Sequence, residues 1–216
     1  MATKTTTRSR RSAKKGARRA PAKKATRSGS TRQRDVIALI KADHATVNQL
    51  FRRYKALGDR ALRSKQGVAD RVVKELSIHA AVEEQILYPN VRAALPNGER
   101  LVNEAIKEHQ SLKEALVALQ KSRPDSDEFD DLMTEIRDEV RHHVREEESR
   151  NGILGQLRKH ASRDELVEMA KLTRAAKKAA PTRPHPNAPA TPPANLVVGA
   201  AAAMVDKVRD AVARRQ

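Results

Sequence analysis

The chain has 216 residues and no cysteine, which excludes disulfides, thiolate ligands and thiol nucleophiles. With no Trp, two Phe and two Tyr, its core must be built mainly from aliphatic side chains, and bound metal could supply a real share of its stability. The formal net charge is +17, but residues 1–34 hold thirteen Lys or Arg and no acid, so only +4 belongs to the remainder.

Residues 1–34 are rich in Ala, Ser, Thr, Arg and Lys and almost free of large apolar side chains. Such a segment cannot bury enough surface to fold and is expected to be a disordered arm. Its nucleic-acid-binding candidates are Arg8, Arg10, Arg11, Lys14, Lys15, Arg18, Arg19, Lys23 and Lys24. Cations on a mobile arm displace counterions from phosphates without reading base sequence. A solubilising extension or a transit peptide would share this composition. No stretch is long and apolar enough to span a bilayer, and the N-terminus lacks the apolar segment of a secretory signal. A cytoplasmic protein, nucleoid-associated if the arm binds DNA, is the expectation.

Residues 35–160 carry four apolar stripes with steps of three or four residues, the period of an amphipathic helix. The first runs Val36, Ile40, His44, Val47, Phe51, Tyr54, and the second Val72, Leu76, His79, Glu83, Ile86. The third is Val102, Ala105, His109, Leu112, Leu116, Leu119, and the fourth Phe129, Leu132, Ile136, Val140, His143, Glu147. Four His and two Glu thus occupy positions where apolar residues belong. A buried unpaired carboxylate costs several kcal/mol, comparable to the whole net stability of a domain.

The order His … His-x-x-x-Glu occurs twice, offset by about 65 residues. Each His-x-x-x-Glu aims both side chains at one place on a helix face. Imidazole with carboxylate suits a borderline transition metal such as iron. A doubled helical hairpin of this kind can close around two metal ions held by His44, His79, Glu83, His109, His143 and Glu147. His142 has Glu135 and Glu139 at its helical offsets and falls on a polar stripe, so His143 is the expected ligand and His142 a surface residue. Glu84, Glu146 and Glu148 are expected at the rim, and His160 and His185 lie off the stripes.

Four segments together resemble the hemerythrin family in its bacterial HHE cation-binding branch. They are Asp43-His44-Ala45-Thr46-Val47, the run from His79 through Glu83-Glu84 to Tyr88-Pro89, Glu108-His109-Gln110-Ser111-Leu112, and the run from His142-His143 to Glu147-Glu148. The resemblance covers about residues 35–160. It implies an all-α, up-down-up-down four-helix bundle around a non-haem di-iron centre. Carried over by position, Glu83 and Glu147 would bridge two iron ions, with His44 and His79 on one and His109 and His143 on the other. Oxygen-carrying members have a further His one turn after the first His of the third helix. Here that position is Lys113, whose ammonium has no lone pair and is a candidate for guiding an anionic ligand to the site.

Three classes of function stay open: a site that binds or senses O2, NO, peroxide or iron; an enzyme that removes peroxide or NO by redox cycling; and a nucleic-acid-binding stress protein with the bundle as an accessory. After Glu148, Asn151-Gly152 marks a helix end or bend. Ser162-Arg163-Asp164-Glu165 is a capping box opening a helix over 161–180. Residues 181–195 form a Pro-rich linker, and 196–216 read as a short amphipathic helix expected to dock on the bundle.

Overall fold

The computed structural model describes residues 1–3 and 34–188. The basic-arm candidates from Arg8 to Lys24, the end of the Pro-rich linker and the helix expected over 196–216 lie outside the described residues.

Between residues 36 and 179 the chain is almost wholly helical, with no strand among the described residues. Four long helices form an up-down-up-down bundle: α1 (Val36–Lys55), α2 (Leu62–Val82), α4 (Gly98–Lys121) and α5 (Asp127–Glu148). Shorter α3 (Tyr88–Ala94), α6 (Ile153–His160) and α7 (Arg163–Ala179) complete it. The starts follow side-chain chemistry. Asp35 accepts a hydrogen bond from the Ala38 N–H at 2.8 Å, and Ser126 accepts one from Phe129. At α7 the Ser162 hydroxyl and Glu165 carboxylate cap reciprocally.

Between α2 and α3 the helix does not break but widens into a π-turn, Glu83–Leu87, closed by a bond from the Tyr88 N–H to the Glu83 carbonyl. Pro89 accounts for it: proline offers no N–H and its ring crowds the carbonyl four residues back, which a wider turn relieves. The Asn90 side chain donates to the Ile86 carbonyl at 2.7 Å, satisfying an acceptor there. The consequence is a phase shift. In a regular helix Tyr88, five residues after Glu83, would point well away from it; the wider turn returns Tyr88 to the same side.

The four stripes face inward, with one adjustment: Met133 rather than Leu132 is buried on α5. The ligand candidates form a polar layer that divides the core. On one side Val47, Phe51, Val72, Leu76, Leu112, Leu116, Phe129 and Ile136 pack together. On the other are Val36, Ile37, Ile40, Tyr88, Val91, Val102, Leu154, Leu157 and Met169. Helix α5 stops at Glu148, and the chain returns through Gly152 into α6. A Cβ on Gly152 would sit 1.9 Å from the Glu146 carbonyl oxygen, so this tight return requires glycine. Helix α7 then lies along α1, α2 and the π-turn, burying Leu166, Met169, Ala170 and Thr173. Among the described residues no helix is long and apolar enough to cross a membrane.

Candidate metal centre

All six residues singled out on the stripes are buried and meet at mid-bundle. His44 is contributed by α1, His79 by α2, Glu83 by the π-turn, His109 by α4, and His143 and Glu147 by α5. Glu83 is fully buried, and its Oε2 lies 3.3 Å from His79 Nε2, 3.4 Å from His109 Nε2 and 3.9 Å from His143 Nε2. His44 Nε2 lies 3.4 Å from Glu147 Oε2. The imidazoles form two close pairs, His44–His79 and His109–His143, each with ring centroids 4.9 Å apart; the closest approach between the pairs is 6.4 Å.

The outward-facing ring nitrogens follow a closed cycle. Glu148 on α5 bonds His44 Nδ1 on α1 at 2.8 Å. Asp43 on α1 faces His79 Nδ1 on α2 at 3.6 Å. Glu84 in the π-turn bonds His109 Nδ1 on α4 at 3.0 Å, and Glu108 on α4 bonds His143 Nδ1 on α5 at 2.7 Å. Each of these elements thus sets a carboxylate against the imidazole of the next, hydrogen-bonded at His44, His109 and His143 and at ion-pair distance at His79. An Nδ1–H held this way leaves the Nε2 lone pair aimed inward and makes it a better donor to a cation.

Cations hold these carboxylates in turn. Lys41 bonds Glu148 at 2.6 Å, Lys113 bonds both oxygens of Glu84 at 2.7 and 2.8 Å, and Lys177 bonds Asp43. His142, 59% exposed, lies 3.4 Å from Glu108. Lys113, considered from sequence as a guide for an anionic ligand, therefore has its ammonium engaged by Glu84.

The central electrostatics are unbalanced. Burial alone would raise the Glu83 carboxyl, but the His79 charge and the His109 hydrogen bond hold it well below the usual range. Burial pushes Glu147 far up, and the neighbouring Glu83 charge adds to it. His109 is raised to about 9, because hydrogen bonds to Glu83 and Glu84 outweigh burial. Burial and the His79 charge lower His44 to about 4. Two neighbouring carboxylates are driven in opposite directions, and burial works against protonation of His44 and His143 while His109 is driven the other way, so the buried charges of the centre are left unbalanced.

The donor atoms themselves give a direct test of fit to a cation. His44 Nε2, His143 Nε2, Glu83 Oε1 and both Glu147 oxygens are buried without hydrogen-bond partners. Donor atoms of His44, His79 and His143, of Glu83, His109 and His143, and of His44, Glu83 and Glu147 each lie within 4.8 Å of one another. Native structures rarely leave so many buried polar atoms unpaired in one place, and cations held among these triads would satisfy them. Neither His160 nor His185 belongs to any such group.

Two features differ from the sequence reading. Glu84 is buried rather than at the rim, because its carboxylate is held between His109 Nδ1 and the Lys113 ammonium of α4. Glu148 is half-buried and Glu146 exposed. Tyr88 was not anticipated as part of the site. Its hydroxyl lies 3.3 Å from both Glu83 Oε2 and His109 Nε2, and its ring stacks on His109 at 5.5 Å. The orienting carboxylates did leave a sequence signal: each neighbours a candidate ligand, as Asp43-His44, Glu83-Glu84, Glu108-His109 and Glu147-Glu148.

Fold and site together define a helical bundle with a buried cation-binding centre. The hemerythrin HHE cation-binding domain model matches residues 35–152. An uncharacterized hemerythrin-like protein of Schizosaccharomyces pombe is 31% identical over 169 residues, covering 78% of this chain and 81% of that one. The chain belongs to the hemerythrin HHE cation-binding domain family. It is also 31% identical over 139 residues to a DNA nickase of Nostoc, of whose length the match spans 38%. The crystal structure of a hemerythrin HHE cation-binding domain-containing protein of Mycobacterium kansasii shares the fold, with a TM-score of 0.58 at 20% identity. That likeness covers 68% of this chain and 86% of the other.

Proposed function

We propose that the protein holds two iron ions at mid-bundle and uses them to bind or sense a small ligand such as O2, NO or peroxide. His44 and His79 would hold one ion and His109 and His143 the other, with Glu83 and Glu147 as the carboxylate donors of the centre. The unpartnered buried donor atoms of His44, His143, Glu83 and Glu147 carry this reading. The two close imidazole pairs support the division of ligands. Iron suits the mixed imidazole and carboxylate set, and supplies redox capacity together with coordination positions that six protein ligands leave open.

The chain's own groups do the rest. The carboxylate cycle keeps each Nε2 lone pair inward. Apolar layers on both sides limit water, while clefts of about 460 and 520 Å3 lie beside Glu108, His142 and His143 on the outer side of the centre, where a small ligand would approach. The Tyr88 hydroxyl donates to Glu83 Oε2 at 3.3 Å and so places a hydrogen-bond donor at the edge of the centre. Lys113, where oxygen carriers place a further His, supports reactivity or sensing over reversible O2 carriage. Redox removal of peroxide or NO at the same centre is the enzymatic form of this reading. Iron and optical analysis of the purified protein tests it: two irons per chain and rapid autoxidation in air are expected. Absence of iron after growth in iron-replete medium overturns the metal assignment. A stable adduct that releases O2 under vacuum overturns the preference for reactivity.

A second reading, association with DNA, is supported by the basic residues 1–34 and by the likeness to a DNA nickase. Deleting residues 1–34 should abolish a mobility shift on random duplex DNA at moderate salt, since such binding rests on phosphate contacts. Undiminished binding by the truncated protein overturns it.

A further inference from the structure

The four imidazoles are not held equally. Three Nδ1 atoms make hydrogen bonds of 2.7 to 3.0 Å to their carboxylates. His79 Nδ1 stands 3.6 Å from Asp43 and has no hydrogen-bond partner. Asp43 differs from the other three carboxylates in its anchor. Lys41 and Lys113, which hold Glu148 and Glu84, lie on α1 and α4 within the bundle. Lys177, which holds both oxygens of Asp43, lies in the last turn of α7. That helix falls beyond the residues 35–152 matched to the family domain.

Helix α7 is placed by more than this contact. Leu166, Met169 and Ala170 pack into the apolar half that contains Ile37, Ile40 and Tyr88. Arg174 donates to the Arg34 carbonyl at 2.8 Å. The helix therefore has a fixed register against α1, and that register brings Lys177 to Asp43. A carboxylate gripped at both oxygens by an ammonium cannot turn freely, so the position of α7 determines where Asp43 meets the His79 ring.

We infer that Lys177 is a positioning residue of the metal centre, which acts through Asp43 to orient His79, and that α7 is thereby an integral part of a site whose ligands all lie in the four-helix bundle. This rests on the di-metal reading, and the test separates the two. In the full-length protein loaded with cobalt(II), each ligating imidazole should give one exchangeable, paramagnetically shifted Nδ1–H proton resonance, four in all. Lys177→Met frees Asp43 to move off the 3.6 Å contact that covers His79 Nδ1. It should therefore speed solvent exchange of one resonance, assigned to His79, leave the other three in place and lower cobalt affinity about tenfold, the low end for disturbing a group outside the ligand shell. Lys177→Arg should restore both, and Lys178→Met, at the exposed neighbouring position, should change neither. Asp43→Ala should remove protection from the same resonance as Lys177→Met.

Four unchanged resonances in Lys177→Met, or equal loss of all four, overturns the role of Lys177 while leaving the metal site standing. A wild-type protein that takes up cobalt without shifted N–H resonances, or takes up none, overturns the di-metal reading and this inference with it.

Discussion

On either side of the histidine layer the bundle is built differently. The half around Phe51, Leu116 and Phe129 is closed by the four long helices alone, each contributing apolar residues at steps of three and four. The half around Ile40, Tyr88 and Leu154 is finished by α3, α6 and α7, none of which belongs to the doubled helical pattern. Regular periodicity is enough to seal one half. The other is sealed by a π-turn, a glycine return and a docked fifth long helix, and those parts also set Glu83, Tyr88, Glu147 and Asp43. The first half should therefore govern stability alone, and the second both stability and the centre.

The sharpest way to break this contrast is a pair of core truncations. Phe129→Ala should cost about 3–5 kcal/mol and Met169→Ala about 2–5 kcal/mol, the range for emptying a fully buried site. Denaturant unfolding gives both values. Only Met169→Ala, which loosens α7, should also speed iron loss to a chelator. Equal chelation rates in the two variants would remove the distinction between the halves.

Between them, Glu83→Leu tests the layer itself. Glu83 faces three of the four imidazoles, so its loss should abolish iron retention. At iron concentrations a hundredfold above Kd, wild type should gain about 2.7 kcal/mol of stability over its iron-free form. Glu83→Leu should gain none. Thermal unfolding with and without iron checks this, and an undiminished shift in the variant would remove Glu83 from the ligand set.

A smaller effect belongs to the return after α5. A methyl on Gly152 would lie 1.9 Å from the Glu146 carbonyl oxygen and 2.7 Å from that of Glu147, so backbone must move. Gly152→Ala should cost about 1–3 kcal/mol, as overpacking does, and weaken iron binding by shifting Glu147. Unaltered stability and iron affinity would show that the turn relaxes without disturbing α5.

The same contrast explains what could be read from the sequence. His44, His79, His109 and His143 stand out because each interrupts an otherwise apolar stripe, and that pattern is local to one helix. Tyr88 does not stand out in the sequence because the π-turn changes the phase after Glu83, and a fixed helical period carried through Glu83–Leu87 points it elsewhere. Glu84 reads as a rim residue from sequence because its burial comes from His109 and Lys113 on the neighbouring α4, which one helix's periodicity does not show. Lys177 could not be paired with Asp43 from sequence, since 134 residues separate them and only the docking of α7 brings them together. Acids beside ligands were visible as doublets, but which imidazole each orients depends on how the helices are ordered around the bundle.

The smallest predicted effect separates two adjacent histidines. Successive helical residues point about 100° apart, so only one of His142 and His143 can face the centre. The stripe through Ile136 and Val140 selects His143, which is buried, with Nδ1 on Glu108. His142 is 59% exposed and meets the other oxygen of Glu108 at 3.4 Å. Glu108 keeps its 2.7 Å bond to His143 without it. His142→Ala should therefore leave iron content unchanged and alter stability by no more than about 0.5 kcal/mol, as surface substitutions do. His143→Ala should lose iron. Metal analysis and a denaturant midpoint on the two variants decide the matter, and iron loss in His142→Ala as large as in His143→Ala would mean that the imidazole cycle is closed by the wrong residue.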